Sequence, residues 1–360
     1  MLKVAHVFKS LAAGGIEKWL TDVAIDNSEK KRFDLTFLLQ SKDFGFFEEQ
    51  VQNTSVNVKK MDLRRSFIKY LYDLFLEFRN GKYDVVHSHV HHFSGIVMLV
   101  AFLAGVKIRV AQSHNDKREE YKDVSLKKKT YFIVCKLLLQ IFANKKIAVS
   151  DNAAESLFPY SKKVHILPCG LRLNIPQGNN KTKGNSPKIV IGHIGSFSPQ
   201  KNHKFICELA QNLELNYPNR FEFQLVGGGG LYQSIVEKVK QLNLEKTVKF
   251  LGLRKDVPSL IYNEFDIVIL PSLHEGLAMV ALEAQYYGKP LIVSDSLSKQ
   301  HTLSSYIQYE SISNVNAFKN AILSSKEPTE YEVISCRDSL NSSPLSVSHN
   351  IKMLIQIYST

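Results

Sequence analysis

The stretch ILPSLHEGLAMVALEAQYYGKPLIVSD, Ile269 to Asp295, decides the fold. It opens on an apolar run suited to a buried strand, turns through SLHEG, continues as a helix over Met279–Tyr287 and closes on PLIVSD, a second apolar run. Strand, turn, helix and strand in so short a span make a β-α-β unit, and such units have parallel strands. Glu275 lies in the turn, and Glu283 lies eight residues on, inside the helix. Gly276 and the residues after it put backbone N–H groups at the helix start, where unpaired donors and the helix dipole favour an anion such as a diphosphate. A carboxylate only accepts hydrogen bonds, so each glutamate suits a pair of hydroxyls on a sugar or a ribose. On spacing alone, a dipole-complementing first-turn acid and a solvated helix acid account for the pair better.

The same rhythm runs through the rest of the second half. KIVIGHIG, a helix over His203–Leu215, FEFQLVGGGG, a helix to Leu242, VKFLG and FDIVILPS precede the stretch above. The first half repeats it with KVAHVF, a helix over Ile16–Asn27, FDLTFLL, a helix over Phe67–Arg79, YDVVHSHV, a helix over Gly95–Ala104 and KIRVAQSH. A helix over Leu126–Phe142, then KIAVS and VHILPCG, completes that half. LNIPQGNNKTKGNSP, Leu173–Pro187, is rich in Gly, Pro, Asn and Lys and reads as a linker. The expected division is a first Rossmann-like domain over 1–172, a linker over 173–187, a second Rossmann-like domain over 188–345 and a closing helix over 346–360. Two doubly wound units are expected to face a central cleft with the carboxyl ends of their sheets.

At 360 residues, with 44% hydrophobic and 22% charged residues, the chain has the composition of a globular protein with two cores. Cys135, Cys169, Cys207 and Cys336 form no Cys-x-x-Cys pair, which excludes a zinc ribbon or a disulfide framework and suits a reducing compartment. The longest near-continuous apolar run, Gly95–Val106, is shorter than the roughly 20 residues of a spanning helix. The amino terminus reads as a first strand, not a signal segment. The formal charge of +12 lies wholly in residues 1–185, which hold 30 Lys and Arg against 18 Asp and Glu. That asymmetry points to an anionic partner of the first domain or to a solvated basic face. Around Leu126–Phe142, Lys127, Lys128, Lys129, Lys136, Lys145 and Lys146 flank an apolar helix, which either rests on a membrane surface or packs as a core helix with basic ends.

HEGLAMVALEAQYYGKPLIVSD resembles the donor-site signature of family 4 retaining glycosyltransferases of the GT-B fold, in particular the branch that builds capsular and other exopolysaccharides. The resemblance spans residues 1 to about 295. It implies that Glu275 contacts the donor sugar, with Gly276 and Leu277 beside it, and that Glu283 holds the ribose. AAGGIEKWL is similar to the family's first strand-to-helix loop, so Gly14 is an acceptor-side candidate and Gly15 a donor-binding one. IGHIGSFSPQKNH resembles the family's first strand and loop of the donor domain, which implies that Lys201 lies on the donor diphosphate, where an ammonium offsets charge on the leaving nucleotide. His114 in AQSHN matches a family histidine near the reacting sugar, and LVGGGG resembles the donor-domain turn near the base, which implies a donor-binding role for Gly228. The catalytic set implied is His114, Lys201 and Glu275.

DVVHSHVHH supplies His87, His89, His91 and His92. His-x-His invites a metal reading, but no carboxylate or cysteine accompanies it at ligand spacing, so strand-end packing and acceptor contacts by His87 and His89 are preferred. No Asp-x-Asp follows an apolar strand; neither a catalytic metal nor a cofactor is expected. The chain departs from the family pattern at Ser196, where Arg is usual, at Ala278 for Pro, at Cys169 for Asn, and at the centre of LVGGGG.

The resemblance implies transfer from a nucleotide-sugar, a UDP-sugar foremost, to a lipid-linked saccharide in bacterial surface polysaccharide synthesis. It implies a cytoplasmic enzyme, peripheral at the inner face of the plasma membrane through its basic first domain. The rivals are a sugar-nucleotide 2-epimerase and a non-catalytic partner subunit. RNA binding finds no recognisable module or aromatic–basic interleaving, so no nucleic-acid partner is expected.

Overall fold

A computed structural model describes residues 1–118, 121, 123–176, 188–275, 277–299 and 302–359. The chain divides into two compact units, Met1–Arg172 with Ser343–Thr360, and Leu173–Ser342. The residues after Ser342 thus belong with the first unit, and Leu173–Pro176 belong with the second; the rest of the expected linker, 177–187, lies outside the described residues.

The first unit carries strands β1 (Leu2–Phe8), β2 (Phe33–Leu39), β3 (Asn57–Lys60), β4 (Val85–Ser88), β5 (Ile108–Ser113), β6 (Lys145–Ala148) and β7 (His165–Ile166). They form one all-parallel sheet in the order β3-β2-β1-β4-β5-β6-β7. The second unit carries β8 (Ile189–Ile194), β9 (Phe221–Val226), β10 (Val248–Gly252), β11 (Ile267–Leu270), β12 (Leu291–Ser294) and β13 (Ile307–Glu310). Their order is β10-β9-β8-β11-β12-β13, again all parallel. Each order reverses direction once, between β1 and β4 and between β8 and β11, and a crevice opens there beyond the carboxyl ends of the strands.

Central strands read as continuous apolar runs because helices cover both faces of a parallel sheet. In the first unit Ala5, Val7, Leu38 and Val86 pack with Leu74, Phe78, Val97, Met98 and Leu139. In the second, Ile191, Phe223, Leu225, Ile269 and Ile292 pack with Ile206, Leu209, Leu213, Phe318 and Ile322. Each such side chain larger than alanine contributes about 1.5–3 kcal/mol when fully buried. Ser66 and Ser150 cap the helices they precede by accepting from the N–H groups of Lys69 and Ala153. The helix Leu126–Phe142 has the bounds its apolar spacing predicts.

Two strands escape the sequence reading, β3 (NVKK) and β13 (IQYE), and both are edge strands. Most of their residues are partly exposed, so the chain there is polar and lacks the apolar signature of an inner strand. The helices Val315–Ser324 and Glu330–Ser342 are also additions to the expected pattern.

The last helix, Val347–Ser359, docks on the first unit. Its Asn350 accepts from Trp19 Nε1 at 3.0 Å and donates to the Pro168 carbonyl at 2.6 Å, and both Asn350 and Trp19 are fully buried. Tyr358, at the far end, lies 2.7 Å from His87 Nδ1. Where the chain leaves and re-enters this unit the backbone pairs, Leu171 N with Leu345 O at 2.7 Å and Val347 N with Leu171 O at 3.0 Å.

Candidate active site

In the second unit the loops that follow β8 and β11 meet at the switch point. Beyond β8 the chain runs through Gly195–Asn202 before the helix His203–Asn216; beyond β11 it runs through Pro271–Ala278 before the helix Met279–Tyr286. Lys201 Nζ stands 2.5 Å from Glu275 Oε1, with the glutamate side chain only 7% exposed and the lysine 17%. Gln200 Nε2 donates to the other Glu275 oxygen at 3.2 Å and to the His274 carbonyl at 2.8 Å, while Leu273 N donates to the Gln200 carbonyl at 2.8 Å. Two residues singled out by the sequence are therefore a single ion pair, and Gln200, which the sequence did not single out, locks their loops together. Lys201 is the sole Lys or Arg in 195–203 and 271–278, since Ser196 presents only a hydroxyl, 3.2 Å from that of Ser198.

The glycine turn explains how Lys201 is seated. Gly227 has φ +146°, and a Cβ there would fall 2.0 Å from the Gly195 carbonyl oxygen; Gly229 has φ +151° and would place its Cβ 2.7 Å from the Phe197 carbonyl oxygen. Neither position admits a side chain. The close approach lets Gly195 N donate to Val226 O at 2.9 Å and Phe197 N to Gly228 O at 3.0 Å. A Cβ on Gly195 would in turn lie 3.1 Å from Cγ and Cδ of Lys201, so the lysine stem lies over bare backbone. Gly228, the glycine singled out by sequence, is the less constrained one: an added Cβ would meet only the Leu253 side chain, at 3.4 Å.

Under these loops His193 and His203 are buried. His193 Nδ1 is 2.9 Å from the Ile269 carbonyl, which can only accept, so the proton sits on Nδ1. Burial, helped by neighbouring His203, pushes His193 down to about 3; burial and then Lys201 push His203 to about 4. The His203 ring stacks on Phe197 with centroids 4.0 Å apart.

The helix Met279–Tyr286 has no side-chain cap, because Ala278 stands at its N-cap. Leu277 is half-buried in the approach to that helix, and Glu283 is buried on it at 6% exposure. Gly276 lies outside the described residues.

In the first unit, Gly15 opens the helix Gly15–Lys30, and Gly14 is its extended N-cap residue with φ −169°. A Cβ on Gly14 would meet only the flexible end of Glu17, at 2.3 Å from Oε2. Glu17 is itself raised above the usual carboxylate range, chiefly by burial. His114, at the end of β5, has both ring nitrogens engaged: Nε2 lies 2.9 Å from His89 Nδ1 and Nδ1 lies 3.5 Å from Cys169 Sγ. His89 Nε2 lies 2.8 Å from Nδ1 of His6, a residue the sequence reading passed over. What marks it is the pairing of β1 with β4, which sets His6 opposite His87 and which no local pattern shows. Burial holds His6 and His114 down to about 3, and holds His87 and His89 well below the ordinary imidazole value. His91 and His92 pack with Tyr121 and Phe132.

Comparison with known proteins follows the same division. Residues 13–174 match the family model described as Glycosyltransferase Family 4, and residues 175–326 match Glycosyl transferases group 1. The chain is 29% identical to the protein EpsF of Bacillus subtilis, over 83% of this chain and 80% of that one. It is 28% identical to an Escherichia coli UDP-Gal:alpha-D-GlcNAc-diphosphoundecaprenol alpha-1,3-galactosyltransferase, over 82% and 79%. The crystal structure of Anabaena Alr3699/HepE in complex with UDP and glucose superposes with a TM-score of 0.80 over the whole of both chains at 18% identity. With both units matched by glycosyltransferase models and two parallel sheets in Rossmann order, the chain belongs to the family 4 glycosyltransferases of the GT-B fold.

Proposed function

We propose that this glycosyltransferase moves a sugar from a UDP-sugar to a lipid-linked saccharide during bacterial surface polysaccharide synthesis, with retention of configuration and without a catalytic metal. The observation that carries the reading is the Lys201–Glu275 pair at the switch point of the second sheet. In the resting site the ammonium is held by a carboxylate. A nucleotide diphosphate entering that crevice offers Lys201 a stronger anion, and Glu275 is then released to accept hydrogen bonds from donor hydroxyls. Charge that builds on the leaving diphosphate is met by Lys201 and by backbone amides at the start of Met279–Tyr286; Glu283 takes the ribose. No carboxylate is assigned as a covalent nucleophile; the acceptor hydroxyl attacks the anomeric carbon from the face of the leaving group as the bond to the diphosphate breaks, the departing phosphate oxygen takes the hydroxyl proton, and His114 stands near the reacting sugar. The donor and acceptor classes draw support from the relatives: the Escherichia coli enzyme is named for UDP-Gal and a diphosphoundecaprenol-linked sugar, and a Staphylococcus aureus relative, CapH, is named for capsular polysaccharide biosynthesis.

The basic first unit is proposed to rest on anionic lipid at the cytoplasmic face. On the helix Leu126–Phe142 only Cys135 and Leu139 are buried, whereas Leu126, Ile133, Leu137 and Ile141 are between 56% and 80% exposed. They form a stripe beside Lys127, Lys128 and Lys129, the arrangement of an interfacial helix. Near its carboxyl end a cavity of about 410 Å³ is lined by Lys146, Lys162, Lys163 and Tyr160 among others. Among the described residues no helix is long and apolar enough to cross a membrane.

Transfer from UDP-, GDP- and ADP-sugars to undecaprenyl-diphosphate saccharides tests the proposal. Turnover is expected with a UDP-sugar, and Lys201→Ala should lower kcat/KM by about 10²–10³, as loss of one transition-state charge partner does. Normal turnover in Lys201→Ala refutes the assignment. Ser196 leaves the site one cation short of the family pattern, which favours as second reading a binding-only partner subunit; UDP-sugar binding without transfer to any acceptor selects it.

A further inference from the structure

Three histidines close the carboxyl ends of β1 and β4. His6 and His87 stand opposite one another on the paired strands, and His89 follows two residues on, its N–H donating to the Val7 carbonyl at 2.9 Å. Their exposures are 1%, 0% and 6%. The His6 and His89 rings lie within 2° of parallel, side by side through their hydrogen bond, and His87 lies 4.3 Å from His89 and 4.9 Å from His6, centroid to centroid.

We propose that His6, His87 and His89 form a binding site for one imidazole-preferring transition-metal ion, of which Zn²⁺ is the test case. Each histidine offers a ring nitrogen, and the three nitrogens lie within 4.8 Å of one another. Among the described residues, Nε2 of His87 is buried with no hydrogen-bond partner, and His6 faces the group through Nδ1. Buried polar atoms are nearly always satisfied, and beside its polar neighbour Gln112 an ion is what would satisfy this one.

The surrounding hydrogen bonds point the same way. His87 Nδ1 lies 2.7 Å from the Tyr358 hydroxyl and His89 Nδ1 2.9 Å from His114 Nε2. An outer partner on one ring nitrogen is what fixes the tautomer and orientation of a metal-binding histidine, leaving the other nitrogen's lone pair for the ion. His89 Nε2 now shares a proton with His6 Nδ1 at 2.8 Å, so the ion replaces one histidine–histidine hydrogen bond. Bonds of about 2.0–2.1 Å to a tetrahedral zinc need nitrogens roughly 3.3 Å apart, so the His6–His89 pair opens by about 0.5 Å and the widest pair closes by up to about 1.5 Å. None of the three pairs with a carboxylate through these hydrogen bonds, and an all-imidazole set suits zinc, copper or nickel and not magnesium or calcium. The sequence offered only His-x-His; the parallel pairing of β1 with β4 supplies the third ligand.

The test uses the full-length chain without a histidine tag, treated with chelator, dialysed and titrated with Zn²⁺ under a thiol-free reductant. One tightly held ion per chain is expected by elemental analysis, with a rise in Tm. Affinity should fall at least tenfold in His6→Phe and in His87→Phe, with circular dichroism confirming their fold. Zinc retained undiminished in both variants, or no stoichiometric zinc in the parent chain, overturns the site. Should both variants fail to fold, anomalous diffraction at the zinc edge from crystals of the parent chain decides: a peak among the three rings supports the site, and peaks confined to other histidines refute it.

Discussion

Replacing Gly227 with alanine tests how the second unit seats its lysine. The new Cβ would lie 2.0 Å from the Gly195 carbonyl oxygen, where real contacts do not fall below about 3 Å, so the two loops must part by about 1 Å. The φ of +146° adds strain of about 1–3 kcal/mol for a residue with a side chain. Separation also weakens the Gly195 N–Val226 O and Phe197 N–Gly228 O hydrogen bonds, each worth about 1 kcal/mol net. Gly227→Ala should therefore cost about 2–5 kcal/mol of stability. It should also lower transfer about 10²-fold, because Lys201 rides on the displaced Gly195 loop and an ångström of misplacement has that effect. Gly230→Ala is the control: its Cβ meets nothing within 4 Å, so stability should stay within about 0.5 kcal/mol. Urea unfolding followed by circular dichroism, together with initial transfer rates, measures both variants. If Gly227→Ala matches the parent chain in both assays, the account of the glycine turn is wrong.

Three further outcomes are expected. Below pH 6.5 an unfolded second unit takes up protons on His193 and His203 that the folded unit refuses, since their folded values lie near 3 and 4. Stability is thus fully present above pH 6.5 and falls with acid by up to about 2.7 kcal/mol per pH unit between roughly 5.5 and 4.5. His203→Phe, which keeps the stack on Phe197, should halve that slope; hydrogen exchange of β8 amides reads it, and an unchanged slope contradicts the assignment. Asn350→Ala strands the Trp19 N–H and the Pro168 carbonyl, and should cost about 2–4 kcal/mol of stability, read from urea unfolding; a loss under 1 kcal/mol would mean the last helix docks by apolar contact alone. Ile133→Ser with Leu137→Ser and Ile141→Ser should cut sedimentation with phosphatidylglycerol vesicles at least fivefold and leave the fold intact, since all three side chains are exposed; undiminished binding would remove the helix from the membrane reading.

What the sequence could reveal follows the burial of each segment. Inner strands such as IVIL at 267–270 are fully buried and carry an unbroken apolar run, which is why they were legible. β3 and β13 hold one neighbour each and keep polar residues, so they look like loop. Lys201 and Glu275 were legible through their motifs, although 74 positions apart, and the structure adds that they are partners. His6 was hidden because its meaning depends on which strand lies beside β1, a long-range fact that no local pattern contains. Tyr358 and Asn350 were hidden in the same way: the apolar spacing of the last helix shows that it packs, and says nothing of where.

That last helix has a consequence for how the chain comes into being. The first unit to leave the ribosome lacks Asn350, Ile351, Leu354 and Tyr358, all buried in the finished molecule, until every residue of the second unit has been made. Trp19 waits through more than three hundred residues of synthesis for its hydrogen-bond acceptor. A nonsense mutation soon after the codon for Ser342 would therefore damage the unit built from residues 1–172, leaving the lately translated unit whole and the early one unfinished.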